Sequence, residues 1–202
     1  AIPELVNLSH LGATLIPLER RISGFPRNMG TLRRLQPRPD LIHLWKSYPD
    51  ASLPALLLSR LWKIPLHYDW DDWERGIAEE LTGSRAAGWI AGLWDRLMPK
   101  LGHTLTTASQ FLRAKALAWG AAEDRIWDAP VGADVEHFFP RERDPALFEK
   151  LALRDPVLVY HGQLEVASYA EQAVEALKEI RREIQTATLL VVGGGRKLET
   201  IQ

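Results

Sequence analysis

Short apolar runs rich in β-formers alternate along this chain with longer segments of helical period, and that alternation limits the fold more than any other feature. Parallel strands cannot be joined by a tight turn and need a crossover of a dozen or more residues, usually a helix, so the pattern predicts βαβ units. Leu41 to Trp45 reads as a buried strand, and Ala51 to Trp62 as a helix carrying Leu53, Leu56, Leu57 and Leu61, with Pro54 in its first turn. Ile64 to Trp70 is the next strand. A helix over Trp89 to Leu97 is expected to stop at Pro99. His103 to Thr107 is a strand, Ser109 is an N-cap for a helix reaching Trp119, Gly120 is its stop, and a further strand covers Ile126 to Ala129.

The segment Arg141 to Pro156 breaks this rhythm: it is charge-rich, contains Pro145 and Pro156, and precedes a fresh strand-helix-strand. It reads as a linker with a short helix from Pro145 to Leu151. Val157 to His161 is a strand, and Ser168 with Glu171 makes a capping-box signature. The helix that follows places Val174, Leu177, Ile180 and Ile184 on one face. Thr188 to Val192 is a buried-type strand ending in Gly193, Gly194 and Gly195, after which Arg196 opens a helix. The expected organisation is therefore a domain over 1–140, a linker over 141–156 and a second domain over 157–202. Two parallel strands cannot cover both faces of a sheet, and the chain starts at Ala1 rather than Met. These features predict an internal fragment with both α/β domains incomplete, inactive alone and unfolding without a sharp transition.

Composition narrows the chemistry. Lys and Arg number 25 against 26 Asp and Glu, which removes the cationic surplus that non-specific nucleic-acid binding requires. Cysteine is absent, excluding disulfide frameworks, thiolate metal sites and thiol nucleophiles. The uncharged run Ala86 to Trp94 is far shorter than the ~20 residues of a membrane-spanning helix, and no signal-peptide pattern opens the chain, so a cytoplasmic location is expected. Residues 1–40 carry Arg20, Arg21, Arg27, Arg33, Arg34 and Arg38 against Glu4, Glu19 and Asp40, a patch suited either to solvent or to peripheral contact with an anionic membrane.

Four places could carry chemistry. Gly193 to Gly195 follows a strand and precedes a helix, where glycines let backbone amides approach a phosphate; a tight turn is the plainer explanation. Gly162 and Gln163 end the preceding parallel strand, so the two bends would converge on one crevice at the carboxyl edge of the sheet and present free amides to one anion. Asp69, Asp71, Asp72 and Glu74 crowd four carboxylates into six positions after a strand, which suits a base or a cation site, or an acidic first turn of a helix. Asp69 and Asp71 would share a face if the strand persisted. Lys46 follows another strand and is placed to meet an anion or pair with the acidic run. His43, inside that strand, is expected as a hydrogen-bonded core residue.

The order of Pro39-Asp40-Leu41-Ile42-His43, Ile64-Pro65 with its acidic turn, Thr106-Thr107-Ala108-Ser109, Pro130-Val131-Gly132-Ala133-Asp134 with Phe138-Phe139-Pro140, Tyr160-His161-Gly162-Gln163-Leu164 and Leu190 to Gly195 resembles the central part of a family 4 glycosyltransferase of the GT-B fold. The resemblance implies two Rossmann-like domains, a UDP- or GDP-linked sugar donor held mainly by the second, and a carbohydrate or lipid-linked acceptor on the first. It implies retention of anomeric configuration with no cofactor and no bound metal. Carried over residue by residue, Asp71 takes a catalytic position near the reacting sugar, Gly162, Gln163, Gly193, Gly194 and Gly195 surround the donor, and Lys46 and Asp72 lie on the acceptor side. The chain departs from the family pattern where Gln163 and Ser168 replace the Arg and Lys that grip the diphosphate, and where Asp71-Asp72 replaces a His-Asp pair. The paired-glutamate motif of the family would lie beyond Gln202. Two other readings stand beside it: a catalytically silent sugar-nucleotide-binding or scaffolding relative, and a metal-dependent transferase using Asp69-Trp70-Asp71 as a D-x-D pair.

Overall fold

The computed structural model describes residues 13–14, 16–19, 22–165 and 169–201. Its backbone divides into two compact units, residues 1–74 with 90–130, and residues 75–89 with 131–202. The α/β class read from the alternating pattern is what forms: two parallel sheets with helical crossovers.

The first unit opens with a single 3-10 turn, Ile22–Gly24, and helix α1, Phe25–Arg33. Four parallel strands follow in spatial order β1 (Ile42–Trp45), β2 (Leu66–Trp70), β3 (Thr104–Thr107) and β4 (Ile126–Asp128). The register sets Trp45 opposite Asp69 and Trp70 opposite Thr107, so all carboxyl ends lie along one edge. The crossovers along the chain are α2 (Pro49–Trp62), then α3 (Glu74–Thr82) with α4 (Arg85–Leu101), of which residues 75–89 belong to the second unit, then α5 (Gln110–Ala118). Alternate residues Leu66, Tyr68 and Trp70 of β2 point into the core beside Leu44, Leu105 and Leu112. Trp70 is fully buried and packs against Tyr68 and Trp119, with ring centres 6.2 and 5.7 Å apart.

Several elements differ from expectation. Helix α2 starts earlier, because Pro49 takes its first position behind the extended Tyr48, and Pro54 therefore lies inside the helix. Helix α4 begins at Arg85, where the Ser84 hydroxyl accepts from the amide of Ala87, and it runs through Pro99 to Leu101. Proline near a helix end removes one amide bond from a turn that is about to finish, so it does not stop the helix on its own. Strand β1 is not buried on both faces: only Leu44 is enclosed, and His43 is exposed instead of sitting in the core. The second face carries the alternate residues His43, Asp69 and Thr106, where Thr106 donates to Asp69 and His43 lies 3.5 Å from the same carboxylate. Ser109 caps α5 as expected, accepting from Leu112, and Gly120 follows with a φ of 91°.

In the second unit α6 (Pro145–Lys150) is capped by Asp144, and β5 (Val157–His161) pairs in parallel with β6 (Thr188–Val192). Helix α7, Ala170–Glu183, packs on β6. Its cap is Tyr169 with no side-chain bond, and Ser168 lies outside the described residues. Val174, Leu177 and Ile180 are half-buried on its inner face, while Ile184 falls past its end and is exposed. Strand β6 is half-buried rather than enclosed, since a two-stranded sheet has no neighbour beyond its edge among the described residues. The final helix, α8, starts at Leu198, two positions after the expected Arg196.

The bends after β5 and β6 lie side by side. A Cβ on Gly193 would stand 1.9 Å from the carbonyl oxygen of Gly162, and one on Gly195 2.5 Å from that of Leu164, whereas Gly194 faces open space. Gly193→Ala is expected to destabilise the chain by about 2–3 kcal/mol through backbone displacement, and Gly194→Ala to leave the urea midpoint nearly unchanged. Equal midpoints for the two variants in urea denaturation would contradict this packing.

Candidate functional site

Strand β1 ends at Trp45, and Lys46 then takes a left-handed backbone conformation with φ 68°. A residue with a Cβ meets a penalty of order 1 kcal/mol there, and the contacts of its side chain account for it. The Lys46 ammonium lies across the end of β2, 2.6 Å from Asp72 Oδ2, 3.1 Å from Glu74 Oε1 and 3.7 Å from Asp71 Oδ2. The expected pairing of Lys46 with the acidic run is thus what forms. Trp45 Nε1 donates to Asp71 Oδ2 at 2.8 Å, so the last residue of β1 and the one after it fix the turn that follows β2.

Glu74 begins α3, where a carboxylate is favoured by the helix dipole, yet it is only 1% exposed. Burial alone would lower the pKa of Lys46, but its hydrogen bonds to Asp72 and Glu74 and the charges of Glu74 and Asp71 outweigh that and raise it above the usual lysine range. The ammonium is therefore charged throughout the neutral range. Lys46 also walls a cleft of about 250 Å³ with Trp45, Tyr48, Asp50 and Glu19.

Asp69 is not part of this group. Strand β2 ends at Trp70, so Asp69 stays on the sheet face, where it accepts from Thr106 Oγ1 at 2.6 Å and lies 3.5 Å from His43 Nε2. The D-x-D pairing of Asp69 with Asp71 expected from their spacing does not form. His67, between Thr104 and Thr106 on the same face, has its pKa lowered by burial and by His43, against the opposing pull of Asp69. Trp45 was not singled out by sequence reasoning, and Glu74 only as one member of the acidic run. The signal for Glu74 was available, because a lone acid just after Asp71-Asp72 at a helix start is a position a strand-end lysine can reach.

In the second unit, Gly162, Gln163 and Gly193 to Gly195 do converge at the carboxyl edge of β5 and β6, but the bends are partly bonded to each other. The Gly162 amide donates to Val192 O at 3.1 Å and the Leu164 amide to Gly194 O at 3.0 Å, so the Gly162 amide is not free for an anion. Parallel strand pairing simply continues one residue past β5. Two cations that sequence reasoning passed over stand directly after the glycines: Arg196 Nε is 2.8 Å from Glu165 and Lys197 Nζ 2.8 Å from Glu171. Arg196 holds the Glu165 carboxyl below its usual range. In the arginine-rich N-terminal stretch, Arg20 and Arg21 lie outside the described residues, Arg27 pairs with Glu19, and Arg38 stacks over Trp62. No described helix is long and apolar enough to cross a membrane.

Lys46→Met leaves Glu74 buried beside two acids with no counter-charge, and is expected to cost about 3 kcal/mol. A raised lysine pKa contributes stability that is complete below the unfolded value near about 10.4 and disappears as pH climbs through the higher folded one. The deficit of the variant should therefore be equal at about pH 6 and 9 and shrink only above about pH 10, as read by chemical denaturation at each pH. A deficit that changes across the neutral range would point to a different partner.

Comparison with known proteins bears on the family and the fold. Residues 4–132 match the model of the glycosyl transferase 4-like domain. Over 100 residues, 48% of this chain, the sequence is 30% identical to a GDP-mannose-dependent alpha-(1-6)-phosphatidylinositol monomannoside mannosyltransferase of Mycolicibacterium smegmatis, of which it spans 26%. Among solved structures, a putative UDP-N-acetylglucosamine 2-epimerase of Listeria monocytogenes aligns with a TM-score of 0.53 at 12% identity, covering 91% of this chain and 50% of that one. Anabaena HepE in complex with UDP-glucose aligns with a TM-score of 0.50 at 13% identity, covering 92% and 57%. At such identities these two establish the fold alone, and the chain spans about half of each. By the match over residues 4–132, the chain belongs to the glycosyl transferase 4-like domain family.

Proposed function

We propose that this chain is part of a retaining glycosyltransferase that moves a sugar from a UDP- or GDP-linked donor to a carbohydrate or lipid-linked acceptor, without a cofactor. The observation that carries this reading is the fixed position of Asp71 at the carboxyl end of β2, where Trp45 and Lys46 hold one carboxylate oxygen and the other has no hydrogen-bond partner. Ligands of open α/β sheets bind at this edge. A preorganised carboxylate there stabilises the positive charge that builds on the sugar as the nucleotide departs. Lys46, which borders the adjoining cleft, and Asp72, paired with it, are assigned to the acceptor side.

On the donor side, Gly194 is the glycine of its triplet that no packing contact demands, and Gln163 is exposed beside it. Arg196 and Lys197 supply the cations that Gln163 and Ser168 do not, once a diphosphate competes with Glu165 and Glu171 for them. The similar proteins described above are named for GDP-mannose and UDP-sugar chemistry, which supports a nucleotide-sugar donor. The existing pairing of both cations also favours a second reading, a silent sugar-nucleotide-binding or scaffolding relative.

Calorimetric titration of the whole protein with UDP- and GDP-sugars is expected to reveal one donor, with Arg196→Ala weakening it roughly tenfold and Gln163→Arg tightening it. Asp71→Asn should lower kcat by roughly a hundredfold or more with little change in donor affinity. Binding without turnover of any donor would leave the silent relative in place, and no binding at all would remove both readings.

A further inference from the structure

Two clefts of the first unit meet at the first turn of α2. One, of about 250 Å³, is walled by Trp45, Lys46, Tyr48, Asp50 and Glu19. The other, of about 200 Å³, is lined by Phe25 of α1, Pro49 and Leu53 of α2, and Ile90 and Trp94 of α4, five apolar side chains with Asp50 as the one charged group. Asp50 belongs to both walls, so a ligand that fills both passes over its carboxylate. Together the clefts reach the size of small-molecule sites, ~300–1,000 Å³. Single exposed apolar residues require no partner, whereas a concave apolar set does. Among the described residues, the charges of the first cleft disfavour an anion. The Lys46 ammonium is already shared by Asp71, Asp72 and Glu74, Glu19 pairs with Arg27, and Asp50 adds a further carboxylate. A helix N-terminus can hold a phosphate, but α2 has no N–H at Pro49 and donates the amides of Ala51 and Ser52 to Tyr48 O. Carboxylates accept from hydroxyl groups, and Trp45, 58% exposed, offers aromatic surface to a sugar ring.

We propose that the acceptor is an uncharged amphiphile, with a hydroxylated head such as a sugar or polyol in the cleft beside Lys46 and a hydrocarbon tail in the cleft between α1, α2 and α4. This inference rests on the proposed sugar transfer and selects, within it, a lipid-linked acceptor that bears no phosphate. Trp45 and Lys46 line the first cleft and also hold Asp71, so a hydroxyl of the head lies next to the carboxylate assigned to the reaction. The apolar cleft distinguishes this acceptor from a free carbohydrate, because each methylene buried in it changes affinity roughly fourfold. The surplus of carboxylates distinguishes it from a lipid phosphate, whose charge would face Asp50 with no uncommitted cation in the lining.

The probes are hexyl and octyl β-glucoside below their micellar concentrations, glucose, and octyl phosphate, titrated calorimetrically into the whole protein without donor. Octyl glucoside is expected to bind roughly tenfold more tightly than hexyl glucoside, with glucose weaker than either and octyl phosphate weaker than octyl glucoside. Ile90→Glu, at a position 44% exposed on α4, should remove most of the preference for the longer tail. Asp50→Asn should tighten octyl phosphate roughly tenfold while leaving the tail preference in place. Equal affinity for hexyl and octyl glucoside, octyl phosphate binding as tightly as octyl glucoside, or an unchanged tail preference in Ile90→Glu would each overturn the proposal. Sugar transfer at equal rates to glucose and octyl glucoside would also overturn it while leaving the transfer reading intact. A tail preference in a protein that binds and turns over no nucleotide sugar would keep the amphiphile site and remove the transfer reading instead.

Discussion

One ammonium group ties the carboxyl ends of the first two strands together. Without Lys46, three carboxylates at the end of β2 and the start of α3 would repel one another across a few ångströms, one of them with no access to water. With it, the left-handed turn after β1, the acidic turn after β2 and the first residue of α3 become a single unit. Strain in the backbone at Lys46 and burial of Glu74 are each unfavourable in isolation. They are tolerated because they meet in the same contact, and the residues that meet are the ones that define the edge of the sheet where ligands of this fold class bind.

The second unit uses a different constraint. There the glycines at the ends of β5 and β6 are needed because two backbone bends approach so closely that neither Gly193 nor Gly195 has room for a Cβ. Such crowding explains two of the three consecutive glycines without any ligand. It also separates Gly194, where an added Cβ would meet open space, as the position where glycine has no packing reason of its own. The cations that follow are anchored to acids on the neighbouring loop and helix, so the polypeptide around the bends is electrostatically neutral pair by pair.

Tryptophan serves opposite purposes within one sheet. Trp70 lies on the core face and is completely enclosed, whereas Trp45, on the other face of the neighbouring strand, is 58% exposed and contributes its indole N–H to Asp71. The side chain is large enough to fill a core and polar enough at one atom to orient a carboxylate. Which role each takes follows from strand alternation.

The residues by themselves determined the order and type of most elements, because a period of two or of 3.6 in apolar side chains is a local property, as are the Ser109 cap and the Gly120 stop. They also determined that Lys46 and the acidic run fall at strand ends. They did not determine which carboxylates Lys46 would meet. The distinction between Asp69, held on the sheet face by Thr106, and Glu74, folded under the ammonium, depends on where β2 stops and α3 starts. That boundary is set by packing between segments distant in sequence. Nor did the pattern reveal α3 itself, whose sparse apolar residues Ile77 and Leu81 give a weak period, or the exposure of His43, which depends on what lies over one face of the sheet. Local sequence encodes periodicity and caps; burial and charge pairing are decided only when the strands lie side by side.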